Sequence, residues 1–99
     1  MAKTQTNSGD ISGKVLHVEE PQRINDKFSK RVLIMEVFDG QYANEVPFEF
    51  VNANMDQIKA VRPDDWVTVH YAISARKQEK EGQPVRRYVT LKGISCYRE

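Results

Sequence analysis

The order of the chain's extended runs limits its fold more than any other feature. Five stretches with β-type patterning occupy residues 11–19, 31–38, 42–51, 66–77 and 85–97. One stretch of helical period, residues 54–61, falls between the third and the fourth, and a highly charged tip precedes the fifth. Ninety-nine residues suit one domain with one modest core. There is no internal repeat and no low-complexity tract.

The runs carry their own punctuation. Residues 11–18 read I-S-G-K-V-L-H-V, and a glycine within a strand, here Gly13, marks a bulge or a coiled bend where one strand serves two sides of a barrel. Pro21 supplies no N–H to a ladder and ends the run. Residues 21–30 then read as a polar loop with an Asn25-Asp26 turn signal. The nearly continuous apolar run of residues 31–38 reads as a strand because it is β-branched and ends at Asp39-Gly40, a hairpin turn. In the third run Val46, Phe48 and Phe50 alternate as a core set, and Pro47 places that strand at an edge or a bulge.

Met55, Ile58 and Val61 recur every three residues, the stripe of a short helix that would plug one barrel end, with Asn52 or Asn54 as its cap. Pro63 disfavours helix at Arg62 and turns the chain into the fourth run. There Val67, Val69, Tyr71 and Ile73 share an inward face; in the fifth run Val89 and Leu91 do. The pattern as a whole predicts an all-β, five-stranded Greek-key barrel with one short helix, the OB-fold layout.

Composition excludes several classes. Hydrophobic residues make up 39% and charged residues 29%, too apolar for full disorder. No apolar run approaches the ~18–20 residues that span a bilayer. Residues 1–9 (MAKTQTNSG) lack the apolar centre of a signal peptide and read as a flexible tail on a cytoplasmic protein, with the domain over 10–99. Cys96 stands alone, so no intramolecular disulfide forms, and it reads as a packing residue rather than a nucleophile.

No catalytic or metal motif is present. His17 and His70 are far apart in sequence and have no cysteine neighbour. A phosphate-cradling glycine loop and a nucleophile elbow are both missing. Asp64-Asp65 reads as a turn rather than a metal pair. The expectation is a non-enzyme without a cofactor, acting on neither a small-molecule substrate nor a membrane.

Surface charge is more informative than the net value of +1. Arg76, Lys77, Lys80, Arg86 and Arg87 outnumber Glu79 and Glu81 around the last hairpin, and Lys27, Lys30 and Arg31 cluster with Asp26 in the first long loop. Those two loops flank the ligand face of an OB barrel. Single strands are held by cations that track phosphates and by rings that stack on bases, each stacked base contributing about 1–3 kcal/mol. The candidate nucleic-acid residues are therefore Lys14, Lys27, Phe28, Lys30, Arg31, Trp66, Arg76, Lys77, Lys80, Arg86, Arg87 and Tyr88. Each has a plainer alternative. Phe28 can fold back onto the core, Trp66 can touch the helix, and Arg86 with Tyr88 can be a solvated strand face.

Five segments carry a resemblance: I-S-G-K-V at 11–15, V-F-D-G-Q-Y at 37–42, V-P-F-E-F at 46–50, D-D-W-V-T-V-H-Y-A-I at 64–73 and R-Y-V-T-L-K-G-I at 87–94. Over residues 11–97 the chain resembles a family of small OB-fold domains of phages and bacteria, uncharacterised in function and related to single-stranded-DNA-binding proteins. The resemblance implies an OB barrel and single-stranded DNA binding. It assigns no particular residues. Taken with the two basic loops, it makes a sequence-tolerant single-strand binder in replication, recombination or repair the leading expectation. The chain ends S-C-Y-R-E, without the acidic tail by which many replicative single-strand binders recruit partners. An interaction module without nucleic acid, and a single-stranded RNA binder, are the competing expectations. Self-association is expected at an exposed edge, beside Pro47 or along the first run.

Overall fold

The computed structural model describes residues 7–99. Its elements are β1 (Ser8–Val18), β2 (Gln22–Asn25), β3 (Phe28–Asp39), β4 (Tyr42–Val51), a 3-10 helix (Asn52–Ile58), β5 (Trp66–Gln78) and β6 (Arg86–Arg98). β1, β3, β4, β6 and β5 close into a barrel, and β2 adds a strand to the edge of β3. All pairings are antiparallel except β4 with β6, which run parallel and meet at Glu49 opposite Lys92. This is the five-stranded OB barrel expected from the order of the runs.

Closure depends on β1 serving two neighbours. Ser8 to Lys14 pair with β5, and Lys14 to Val18 pair with β3. Gly13 lies at the changeover, where a Cβ would overlap the Glu36 carbonyl oxygen. The register shifts just after it, between Val15 and His17. The turn before β5 seals the bend. Val15 N–H donates to the Asp65 carbonyl at 2.8 Å, and Asp64 N–H donates to the Val15 carbonyl at 2.8 Å.

Val15, Leu33, Met35, Phe48, Phe50, Ile58, Val67 and Val69 form the fully buried core, with Val46, Met55, Val61, Tyr71, Leu91 and Cys96 packed around it. Pro47 pairs with Ile34 in an unbroken β3–β4 register, and β4's opposite edge is paired only at Glu49. The missing N–H thus falls on a nearly open edge, as expected of a strand proline.

Four expectations are corrected. Residues 21–30 are not a loop but a hairpin, with β2 opposite the start of β3. Asn25 Oδ1 accepts the Lys27 N–H at 2.9 Å and closes its turn, and so β3 begins at Phe28 rather than Arg31. The plug is a 3-10 helix rather than an α-helix; Lys59 N–H donates to the Asp56 carbonyl, an i to i−3 bond that fits the three-residue stripe. Neither asparagine caps it. Asn52 sits at φ +50, a region asparagine tolerates, and its Oδ1 accepts the Ser29 N–H at 3.0 Å, tying the β2–β3 hairpin to the barrel floor. Asn54 instead donates to the Gly93 carbonyl at 3.4 Å.

The third correction concerns Ile73 and Val89, expected in the core but 56% and 69% exposed. Beyond Tyr71 and Leu91 the two strands leave the barrel as a two-stranded arm, and among the described residues no other element layers over either face. Last, Ser8 and Gly9 belong to β1 rather than to a tail, opposite Ala72 and Tyr71. Residues 1–6, the rest of the expected tail, lie outside the described residues.

Where β6 crosses β4, the Phe50 ring lies flat against Gly93, and a Cβ there would overlap the ring. Gly93→Ala is expected to destabilise the fold by about 1–3 kcal/mol through overpacking, read as a lower urea midpoint at unchanged m-value.

Candidate nucleic-acid interface

Alternation along β3 sorts the first basic cluster. Leu33 and Met35 point into the core, so Phe28, Lys30 and Val32 share the outward face and Arg31 does not. Arg31 is occupied elsewhere, its Nε donating to the Glu19 carbonyl at 2.7 Å. Phe28 is half-buried. On β4 the same alternation puts Pro47 and Glu49 outward, beside Val32.

These outward residues floor an open groove of about 310 Å³, lined by Val32, Pro47, Glu49, Val89, Thr90 and Leu91. It lies where β6 departs from β4, so its far wall is the root of the β5–β6 arm. Phe28 and Lys30 continue the floor toward the β2–β3 hairpin. The two basic ribbons therefore border one apolar groove from different sides.

The arm carries the second cluster on both faces. Lys77 is opposite Arg87, on the face shared with Val89. Arg76 is opposite Tyr88 on the reverse face, and its guanidinium carbon lies 5.4 Å from the centre of that ring. Arg86 shares the Tyr88 face, and Tyr88 Oη donates to Gln78 Oε1 at 3.3 Å. Lys80 sits at the tip beside Gly82, whose φ of +76 turns the chain.

Few of these cations are neutralised. Among the described residues, Lys27, Arg76, Lys80, Arg86 and Arg87 make no ion pair. Lys77 meets Glu79 at 2.8 Å, and Arg23 meets Asp26 at 2.9 Å. Both pairs are exposed, and exposed pairs contribute only about 0–1 kcal/mol, so a phosphate can displace the carboxylate. Lys30 is held more firmly, 3.4 Å from half-buried Glu49.

Two expected residues stand apart. Trp66, Lys14, Glu36 and Glu45 form a register row across β5, β1, β3 and β4. Trp66 is 46% exposed on that wall, ten residues along β5 from Arg76, or about 33 Å of strand. Glu36 and Glu45 lie between Lys14 and the groove, which makes that row a poor track for phosphates. Sequence reasoning missed Lys92, which is exposed and is Glu49's partner across the β4–β6 seam. The signal was present in its outward phase on the last strand, but only the pairing puts it beside the groove.

The sequence matches DUF3127, a domain of unknown function, over residues 10–97. The chain belongs to that family. No curated protein matches it. Among solved structures it is similar to the mitochondrial single-stranded DNA binding protein of S. cerevisiae, with a TM-score of 0.59, 12% identity and 96% of each chain covered. It is also similar to the Plasmodium falciparum SSB in complex with ssDNA, with a TM-score of 0.57, 17% identity, and 100% and 99% of the two chains covered. At these identities the likeness establishes the fold, the OB barrel of these proteins.

No group of three or more His, Cys, Asp and Glu side chains suited to a metal occurs among the described residues. No described helix is long and apolar enough to cross a membrane. Asp65 has a turn role, its Oδ2 accepting the Arg62 N–H at 3.0 Å. Cys96 packs against the core, and burial first, then the Asp65 charge, pushes its thiol up to about 11. A folded value above the unfolded one keeps the thiol neutral until pH rises through it, so the reactive thiolate is scarce at pH 8. A maleimide is expected to label the native chain about a hundredfold more slowly than the urea-unfolded chain at that pH, followed by mass spectrometry.

Proposed function

We propose that this domain binds single-stranded DNA with little sequence preference, the strand lying in the groove between the β3–β4 face and the arm. The observation that carries the reading is one apolar groove bordered by two ribbons whose cations are mostly unpaired. Lys27, Lys77, Lys80, Arg86 and Arg87 attract the phosphates. Phe28 offers a ring for bases at one end of the groove; Tyr88, with Arg76 beside its ring, offers one only to a strand that wraps onto the arm's reverse face. Arg31, Lys14 and Trp66 take no direct part. The similarity to the single-stranded DNA binding proteins of S. cerevisiae mitochondria and Plasmodium falciparum supports the same reading. Its setting is replication, recombination or repair in the cytoplasm, which is the host's cytoplasm for a phage protein.

A second reading, a protein-docking module, draws support from Phe38 and Tyr42, both exposed where the β3–β4 hairpin leaves the barrel. Anisotropy of a labelled oligo-dT separates the two. Saturable binding that weakens steeply with salt is expected for the first reading, because phosphate contacts release counterions. No binding at low salt would favour docking. A parallel titration with oligo-U asks whether the 2′-hydroxyl matters.

Two outcomes locate the strand. Replacing Arg86→Ala and Arg87→Ala together is expected to flatten the slope of log affinity against log salt by about 0.7 per lost phosphate contact. Trp66 emission is expected to stay constant through the titration, since that ring lies on another wall.

A further inference from the structure

A groove for a polyanion holds a carboxylate. Glu49 is the acidic member of the groove lining, among Val32, Pro47, Val89, Thr90 and Leu91. Its side chain is 28% exposed, and Lys30 Nζ lies 3.4 Å from its Oε1. Lys92, its partner across the seam, lies on its other side. A phosphate set beside Glu49 would meet like charge over apolar walls. The backbone therefore runs outside, along the arm's cations, and the bases turn their edges toward Glu49.

The chemistry of those edges then discriminates among bases. A carboxylate only accepts hydrogen bonds, and a lysine ammonium only donates them. Lys30 and Glu49 together present one donor next to two acceptors. Guanine shows the complement on its Watson–Crick edge: the O6 acceptor, then the N1–H and N2–H donors. Cytosine and adenine offer the carboxylate a single amino group beside an acceptor nitrogen. Thymine offers one N–H between two carbonyls, which repel it. Bases in single strands are free to be read on these edges.

We infer that Glu49, oriented by Lys30, is a guanine-reading residue in an otherwise sequence-tolerant site. This rests on the single-strand reading above, and the test keeps the two apart. The probes are 12-nucleotide oligo-dT and the same oligomer with one central guanine, inosine, 7-deazaguanine, cytosine or adenine, titrated by anisotropy against the unmodified protein. Guanine is expected to bind about tenfold more tightly than thymine, within the discrimination of a bidentate base contact. Inosine lacks the N2 amine and loses most of that gain. The 7-deazaguanine probe keeps the whole edge and binds like guanine.

Glu49→Gln replaces one acceptor by a donor, and the guanine-to-thymine ratio is expected to fall to about one. If the oligomers bind and guanine equals thymine, or inosine equals guanine, the inference is overturned while the binding function stands. If no oligomer binds at low salt, the binding function itself fails. Should Glu49→Gln not fold by circular dichroism, the inosine comparison on the unmodified protein decides.

Discussion

The contact between the Phe50 ring and the Gly93 backbone decides where this barrel ends. Phe50 is fully buried at the heart of the core, yet its ring reaches the backbone of β6. Any side chain at Gly93 would hold β6 away from β4. With none, the strands approach closely enough to pair at Glu49 and Lys92, then diverge. That divergence opens the groove, starts the arm and brings Lys92 next to Glu49. A packing event inside the barrel thereby sets the position of the arm's cations outside it.

The second constraint is electrostatic. A net charge of +1 conceals a strong division of the surface. The arm holds five cations against Glu79 and Glu81, whereas Glu36 and Glu45 face each other across β3 and β4. Like charges directly opposite are unfavourable in a sheet, and here they lie just past the groove. A polyanion is attracted at one end of the β3–β4 face and repelled at the other. The local field, rather than the total, guides such a ligand.

Much of the barrel was legible because its signals are local. Gly13 announced the bend in β1, the Val46, Phe48 and Phe50 alternation announced the inward face, and Asp39-Gly40 announced the hairpin. Other features were not legible, since they depend on partners distant in sequence. Val89 and Ile73 alternate like core residues, but a strand pattern does not say where the barrel stops covering it. Asn52 looks like a helix cap, but Ser29, 23 positions earlier, claims its side chain. Lys30 and Arg31 were both expected at the interface, and they separate only because β3 already runs through them from Phe28. Likewise, only the register revealed that Trp66 and Lys14 share a wall with two glutamates.

The arm also has a mechanical consequence. It is a two-stranded cantilever clamped at one end, where Tyr71 and Gly93 face each other. From Ile73 to Gln78 it reaches roughly 17 Å at the usual strand rise. A tilt of about ten degrees at the clamp therefore swings its tip by roughly 3 Å, close to the length of one residue of strand. The lever is long relative to its clamp, so any change in packing around Phe50 that tilts the hinge line is magnified at the tip.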